Sequence, residues 1–250
     1  RLSQDAMNAV SLAFPLQMLC IAFSVGTGVG MNALLARSLG EKNQTAVNRA
    51  AGTGLFLTLC TAAVFMLLGF SLATPFFRFQ TTNEQIIAYG QAYVRICIGC
   101  SLGIFVQVYS ERLLQATGRT NLSMISQIVG AVCNIVLDPI LIFGLLGFPR
   151  MEVAGAAVAT ITGQFIGAAL GLVLNHTKNP DVQLRLSGIR PHRATVADIY
   201  AVGIPSIIMQ SIGSVMVFGM NKILISFTEA ATCSARTSSS RASSSCPASA

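Results

Sequence analysis

From Ala6 to Ala36 the chain runs without a single charged side chain, and a helix needs only about 20 apolar residues to cross the hydrocarbon of a bilayer. A soluble helix of that length would turn a charged face to water, and this one has none to turn. The pattern returns at Ala50–Phe77, Ile96–Gln115, Asn121–Gly144, Ala154–Asn175 and Tyr200–Phe227. Composition agrees. Apolar residues make up 53% and charged residues 10%, with mean hydropathy +0.66, where a soluble domain carries about 25% charge. In lipid, a helix satisfies its backbone polar groups internally. These blocks therefore predict an all-α, polytopic membrane protein with six transmembrane helices.

Small residues indicate how such helices meet. Gly26 and Gly30 form a small-xxx-small face on the first block, and Gly163, Gly167 and Gly171 form another on the fifth. The GTGVG segment around them is no phosphate loop, since no strand precedes it and it lies in hydrocarbon. Pro15 is a candidate kink in the same helix. Gly40 and Gly118 are expected to close helices, and Asn43 or Thr45 and Asn121 to open them.

Net charge is +7, yet the basic residues sit in short gaps between apolar blocks and not in a stripe with interleaved aromatics, so nucleic acid is excluded as a partner. Their distribution sets orientation instead. Alternate connections hold Arg37, Lys42, Arg49, Arg112, Arg119, Lys178, Arg185, Arg190 and Arg193, against Arg1, Arg78, Arg150 and Arg95 on the other side. The first set is expected in the cytoplasm. Arg95 reads as a snorkelling anchor, and Glu111 with Arg112 as a solvated or locally paired helix end. Five cysteines lie in apolar segments. Cys97 and Cys100 form a CxxC there, which reads as packing. With no nucleophile and base pair, no metal spacing, and His176 and His192 merely flanking a polar loop, the chain is not expected to be an enzyme.

Asp138 is the exception inside the fourth block. An ionised Asp at a helix centre costs roughly 2.5 to 3.5 kcal/mol on insertion scales, so such a residue usually faces a polar interior and marks an ion or substrate path. Pro139 follows it, removes a backbone donor and frees the carbonyl of Ile135 beside the acid. Counting outward from the loop at Leu145–Val153 sets Asp138 and Thr160 about 10 Å below the outer surface at 1.5 Å per residue. Asn134 and Gln164 follow one turn deeper on the same faces. The arithmetic gathers a carboxylate, a hydroxyl and two amides into one pocket. Without the acid, hydrogen-bonded packing would account for the other three; with it, ion or proton handling is the stronger reading.

The segments GVGMNALLARSLGEKN, LLQATGRT, NIVLDPILIFG, VAGAAVATITGQ and VGIPSIIMQ, in that order, resemble the multidrug and toxic compound extrusion (MATE) family. The resemblance is closest to bacterial multidrug exporters allied to the DNA-damage-inducible branch, and it covers nearly all of Arg1 to Thr228. It implies a MATE-like bundle of twelve helices in two lobes related by pseudo-two-fold symmetry. It also implies an antiporter, driven by H+ or Na+ and without other cofactor, that exports amphipathic organic cations across the inner membrane of a bacterium, in contact with lipid and as a monomer. On that map the six helices are the second to the seventh. Residues 1–177 belong to the first lobe, 178–194 to a cytoplasmic linker and 195–228 to the first helix of the second lobe. Asn134, Asp138 and Thr160 match the branch's cation site. The first helix, which supplies a second carboxylate to that site, has no counterpart here, and Gln210 and Asn221 stand where another branch carries an acid.

Residues 229–250, rich in Ser and Ala, lack apolar period and are expected to be disordered, as a frameshifted end would be. On this reading the chain is part of a longer transporter and does not transport alone. The alternatives are a lipid-linked oligosaccharide flippase of the same superfamily, which would need a broad cationic tract, and a nonfunctional membrane remnant.

Overall fold

The computed structural model describes residues 4–81, 83–144, 152–182 and 192–244, and among them every regular element is helical. In chain order these are α1 (Gln4–Gly40), α2 (Gln44–Gln80), α3 (Glu84–Gly99), α4 (Leu102–Ala116), α5 (Thr120–Phe143), α6 (Glu152–Lys178) and α7 (Arg193–Ser244). At about 1.5 Å per residue, α1 and α2 with 37 residues each outreach a hydrocarbon core of about 30 Å. Five helices are long and apolar enough to span, and α3 with α4 forms a sixth span bent by 42°. Five of the six expected spans are single helices, and the third corresponds to the bent α3–α4 pair.

The break falls at Gly99-Cys100-Ser101, where no residue is a strong helix former. Cys100 caps α3, its N–H reaching the carbonyls of Ile96 and Ile98, and buried Ser101 donates to the carbonyl of Ala62 on α2 at 3.4 Å. The CxxC thus straddles a bend, with both thiols free.

Caps follow local chemistry. The Asn43 side chain accepts from the N–H of Ala46 to start α2, and Asn83 accepts from Gln85 to start α3. Gly118 and Gly144 take positive φ of 75° and 71°, where a Cβ would be strained. Arg119, not Asn121, precedes α5, so Asn121 lies in its first turn. Both α1 and α5 run through their prolines as single helices.

Close helix contact is made where the small residues lie. A Cβ on Gly26 would collide with the side chain of Ile207, and one on Gly30 with the carbonyl of Ile199, both on α7. Gly130 and Gly163 abut across α5 and α6, and Ser126 Oγ donates to the carbonyl of Gly167 at 2.7 Å. α7 is tied to α1 again by Ser214, which donates to the carbonyl of Pro15.

Two apolar cores result. The outer one gathers Leu12, Phe65, Phe77, Ile86, Tyr93, Ile98, Phe105 and Val153. The inner one gathers Met31, Leu35, Val47, Tyr109, Leu113 and Val182. On α1 they are separated by the Ser- and Gly-bearing run 24–30. Apolar side chains such as Ile135, 69% exposed, and Met209, 78% exposed, face outward, as lipid contact requires.

At one end of the bundle, Asp181 receives Arg119 Nη2 at 3.5 Å, and its carbonyl receives Gln44 Nε2 at 2.8 Å. The α1–α2 turn, the α4–α5 turn and the end of α6 therefore meet, consistent with the strict alternation of the spans. The expectation for the tail is corrected in part: α7 continues as helix to Ser244. No Gly or Pro interrupts the chain between Gly219 and Pro247, and Ala and Arg are good helix formers. Residues 245–250, the loop 145–151 and residues 183–191 of the expected linker lie outside the described residues.

Candidate functional site

α4 and α6 run in the same direction and α5 runs against both, so one face of each can share a cleft. The register is set by glycine. Leu141 lies against Gly155, Gly130 against Gly163, and Ser126 against Gly167. That register puts Thr160 level with Asn134 and Ile135, about one turn deeper than Asp138. The loop count assumed symmetric helix ends, whereas α5 stops at Phe143 and α6 starts at Glu152.

Asn134, Thr160 and Gln164 accordingly line one cavity of about 420 Å3 between α4, α5 and α6. Asp138 lies outside that lining, half-buried one turn toward the outer end of α5. Thr160 Oγ1 donates to the carbonyl of Ala156 on its own helix at 2.9 Å. Its oxygen lone pairs remain available to a cation.

The same cavity continues inward to a group that the sequence reading misjudged. Glu111, taken as a solvated or paired helix end, is 7% exposed and lies in the cavity wall with Gln107 and Gln127. Gln107 Nε2 donates to one carboxylate oxygen at 3.0 Å, and Gln127 Nε2 donates to the other at 2.7 Å. Its neighbour Arg112 turns away, donating to Gln115 Oε1 at 2.9 Å and lying against Gly28 of α1. The i, i+4 spacing of Gln107 and Glu111 was the available signal, but only the pairing of helices brings in Gln127.

Toward the outer side, a second and much smaller cavity of about 10 Å3 is lined by Gln17, Cys20, Cys97, Thr160 and Gln164, among others. Gln17 Oε1 accepts from the Tyr93 hydroxyl at 3.3 Å. Gln17 also escaped the sequence reading, because a lone amide in a long apolar helix has no partner visible in the chain. Among the described residues no cluster of His, Cys, Asp and Glu suits a metal ion.

Polar side chains thus line one cavity in an apolar bundle, from Asn134, Thr160 and Gln164 to Glu111, with Asp138 one turn further out on α5. That arrangement defines the class: a multi-pass membrane protein with polar side chains grouped at membrane depth. The family model described as MatE matches residues 1–140, and the chain belongs to this family, whose members are transporters and not enzymes. The "Probable multidrug resistance protein YoeA" of Bacillus subtilis is 33% identical over 160 residues, 64% of this chain and 35% of that protein. A solved structure described as the inward-facing conformation of a multidrug resistance MATE family transporter of the MOP superfamily superposes with TM-score 0.83 at 27% identity. It covers 88% of this chain and 50% of its own. Its outward-facing counterpart gives 0.78 at 27% identity, covering 84% and 46%. The chain spans half or less of the length of these relatives.

Proposed function

We propose that the protein containing these helices is a cation-coupled antiporter that exports amphipathic organic cations by alternating access, using H+ or Na+ as its only cofactor. The observation that carries the reading is a carboxylate on the same face of α5 as Asn134, the amide of a cavity that also holds Thr160 and Gln164. An acid and neutral oxygen donors at membrane depth can take up a proton or a dehydrated Na+ and release it when the surroundings change. The multidrug names and the two facing conformations of the relatives support export and alternating access.

In this proposal Asp138 exchanges the coupling ion, Asn134 and Thr160 supply oxygens to it, and Gln164 shapes the pocket floor. Pro139 leaves the Ile135 carbonyl without its helical donor, so it adds an acceptor beside Asp138. Residues 1–177 form most of one lobe, 178–194 link it to the next and 195–228 begin that lobe. The protein resides as a monomer in the inner membrane of a bacterium, surrounded by lipid, and does not act on nucleic acid.

The test is dye efflux from bacterial cells lacking their own exporters. Cells expressing the full-length protein should extrude ethidium and lose that ability when the ion gradients are collapsed. Extrusion that persists without any ion gradient contradicts the proposal.

A further inference from the structure

Glu111 is left without a role by the reading above, and its surroundings are unusual for a structural residue. It is buried near the inner end of α4, five residues before the helix ends at Ala116. Both carboxylate oxygens accept from amides on two different helices. These partners are held in turn. Gln107 lies against Gly167 of α6, where a Cβ would come within 3.0 Å of it, and the adjacent Ser110 is fixed through its carbonyl by Asn175 Nδ2 at 2.8 Å. The site is therefore built from three helices, with a carboxylate in a cradle of neutral donors.

The neighbouring Arg112 of the same helix forms no ion pair with Glu111 among the described residues. The side chains that α5 and α6 bring to this level, Ser126, Gln127 and Asn175, are neutral. Beyond Glu111, Arg112 donates to Gln115, and Gln115 Nε2 donates to buried Ser123 Oγ at 3.2 Å. Polar groups thus continue toward the end of the bundle where Arg119 and Asp181 meet. A carboxylate in hydrocarbon that only packed would be matched by a cation or replaced by an amide. This one opens onto the 420 Å3 cavity that it shares with Asn134, Thr160 and Gln164.

We propose that Glu111, cradled by Gln107 and Gln127, is a second station for the coupling cation, loading and discharging it on the cytoplasmic side of Asp138. This rests on the antiport reading. A proton arriving from the Asp138 level binds one Glu111 oxygen, displacing the amide donor there. It leaves toward the Gln115–Ser123 end as that donor returns. A Na+ ion would be held by the same carboxylate together with the amide oxygens once Gln107 and Gln127 rotate.

The test uses the full-length protein in liposomes, with Glu111→Gln, Glu111→Asp, Gln127→Met and Asp138→Asn. Infrared difference spectra, between acid and neutral pH and between Na+ and K+, report which membrane carboxyls change state. The expected result is one carboxyl signal lost in Glu111→Gln and a different one lost in Asp138→Asn. Gradient-driven ethidium export should fall about tenfold in Glu111→Gln, a barrier change of about 1.4 kcal/mol, and recover in part in Glu111→Asp. Gln127→Met keeps the acid and removes one donor, so it should move the Glu111 signal without abolishing it. Unchanged export in Glu111→Gln overturns the proposal, and so does slowed export with both carboxyl signals intact, which would make Glu111 a packing residue. If Asp138→Asn exports normally while Glu111→Gln does not, the role of Asp138 fails and Glu111 stands.

Discussion

At the residue scale, the site separates groups whose oxygens are committed from groups whose oxygens are available. Thr160 satisfies its own hydrogen through the Ala156 carbonyl, so Thr160→Val removes an acceptor from the cavity while leaving the helix intact. Thermal stability in detergent should change by no more than about 0.5 kcal/mol, whereas cation affinity should weaken by about tenfold. Equal loss of both would make Thr160 a packing residue. Asn134, Asp138 and Thr160 were visible in the chain because polar residues are rare in a membrane helix and their spacing along one helix fixes their face. Glu111 and Gln17 were not. An acid followed by an arginine near a helix end looks like an interface, and a single glutamine says nothing of the tyrosine 76 positions away that bonds to it.

At the element scale, glycine decides how near the helices come, and this was legible as small-xxx-small spacing. Gly30 is the tightest case. Any side chain there meets the Ile199 carbonyl of α7, and backbone cannot give way as a flexible side chain can. Gly30→Leu should therefore destabilise the α1–α7 contact by about 1 to 3 kcal/mol, read as a lower melting temperature by fluorescence-detected size-exclusion chromatography. An unchanged melting temperature would mean that the α1–α7 crossing is not as close as described. The break between α3 and α4 was hidden for a related reason. Gly99, Cys100 and Ser101 tolerate a helix as well as a bend, and what selects the bend is packing, with Ser101 buried against α2. The offset between Asp138 and Thr160 has the same origin, since helix ends around a loop need not be symmetric.

At the scale of the whole molecule, the basic connections that the sequence assigned to the cytoplasm include three that converge around Asp181. Orientation itself follows from charge bias. With the native cysteines replaced, Asn83→Cys should react with a membrane-impermeant maleimide applied to whole cells, and Glu41→Cys should react only after lysis. The opposite pattern would invert the topology. In either orientation the cavity between α4, α5 and α6 keeps Glu111, Gln107, Gln127, Asn134, Thr160 and Gln164 together, beside the two apolar cores.

The central claim is that Asp138 couples ion entry to export, and its most direct test is a transport ratio in liposomes. Ethidium export by the full-length protein is measured with and without an imposed inward H+ or Na+ gradient. The wild type should be accelerated by the gradient of its coupling ion. Asp138→Asn should bind ethidium normally and show a ratio near one, because its amide can no longer exchange the ion. An Asp138→Asn protein that keeps the full acceleration would contradict the account.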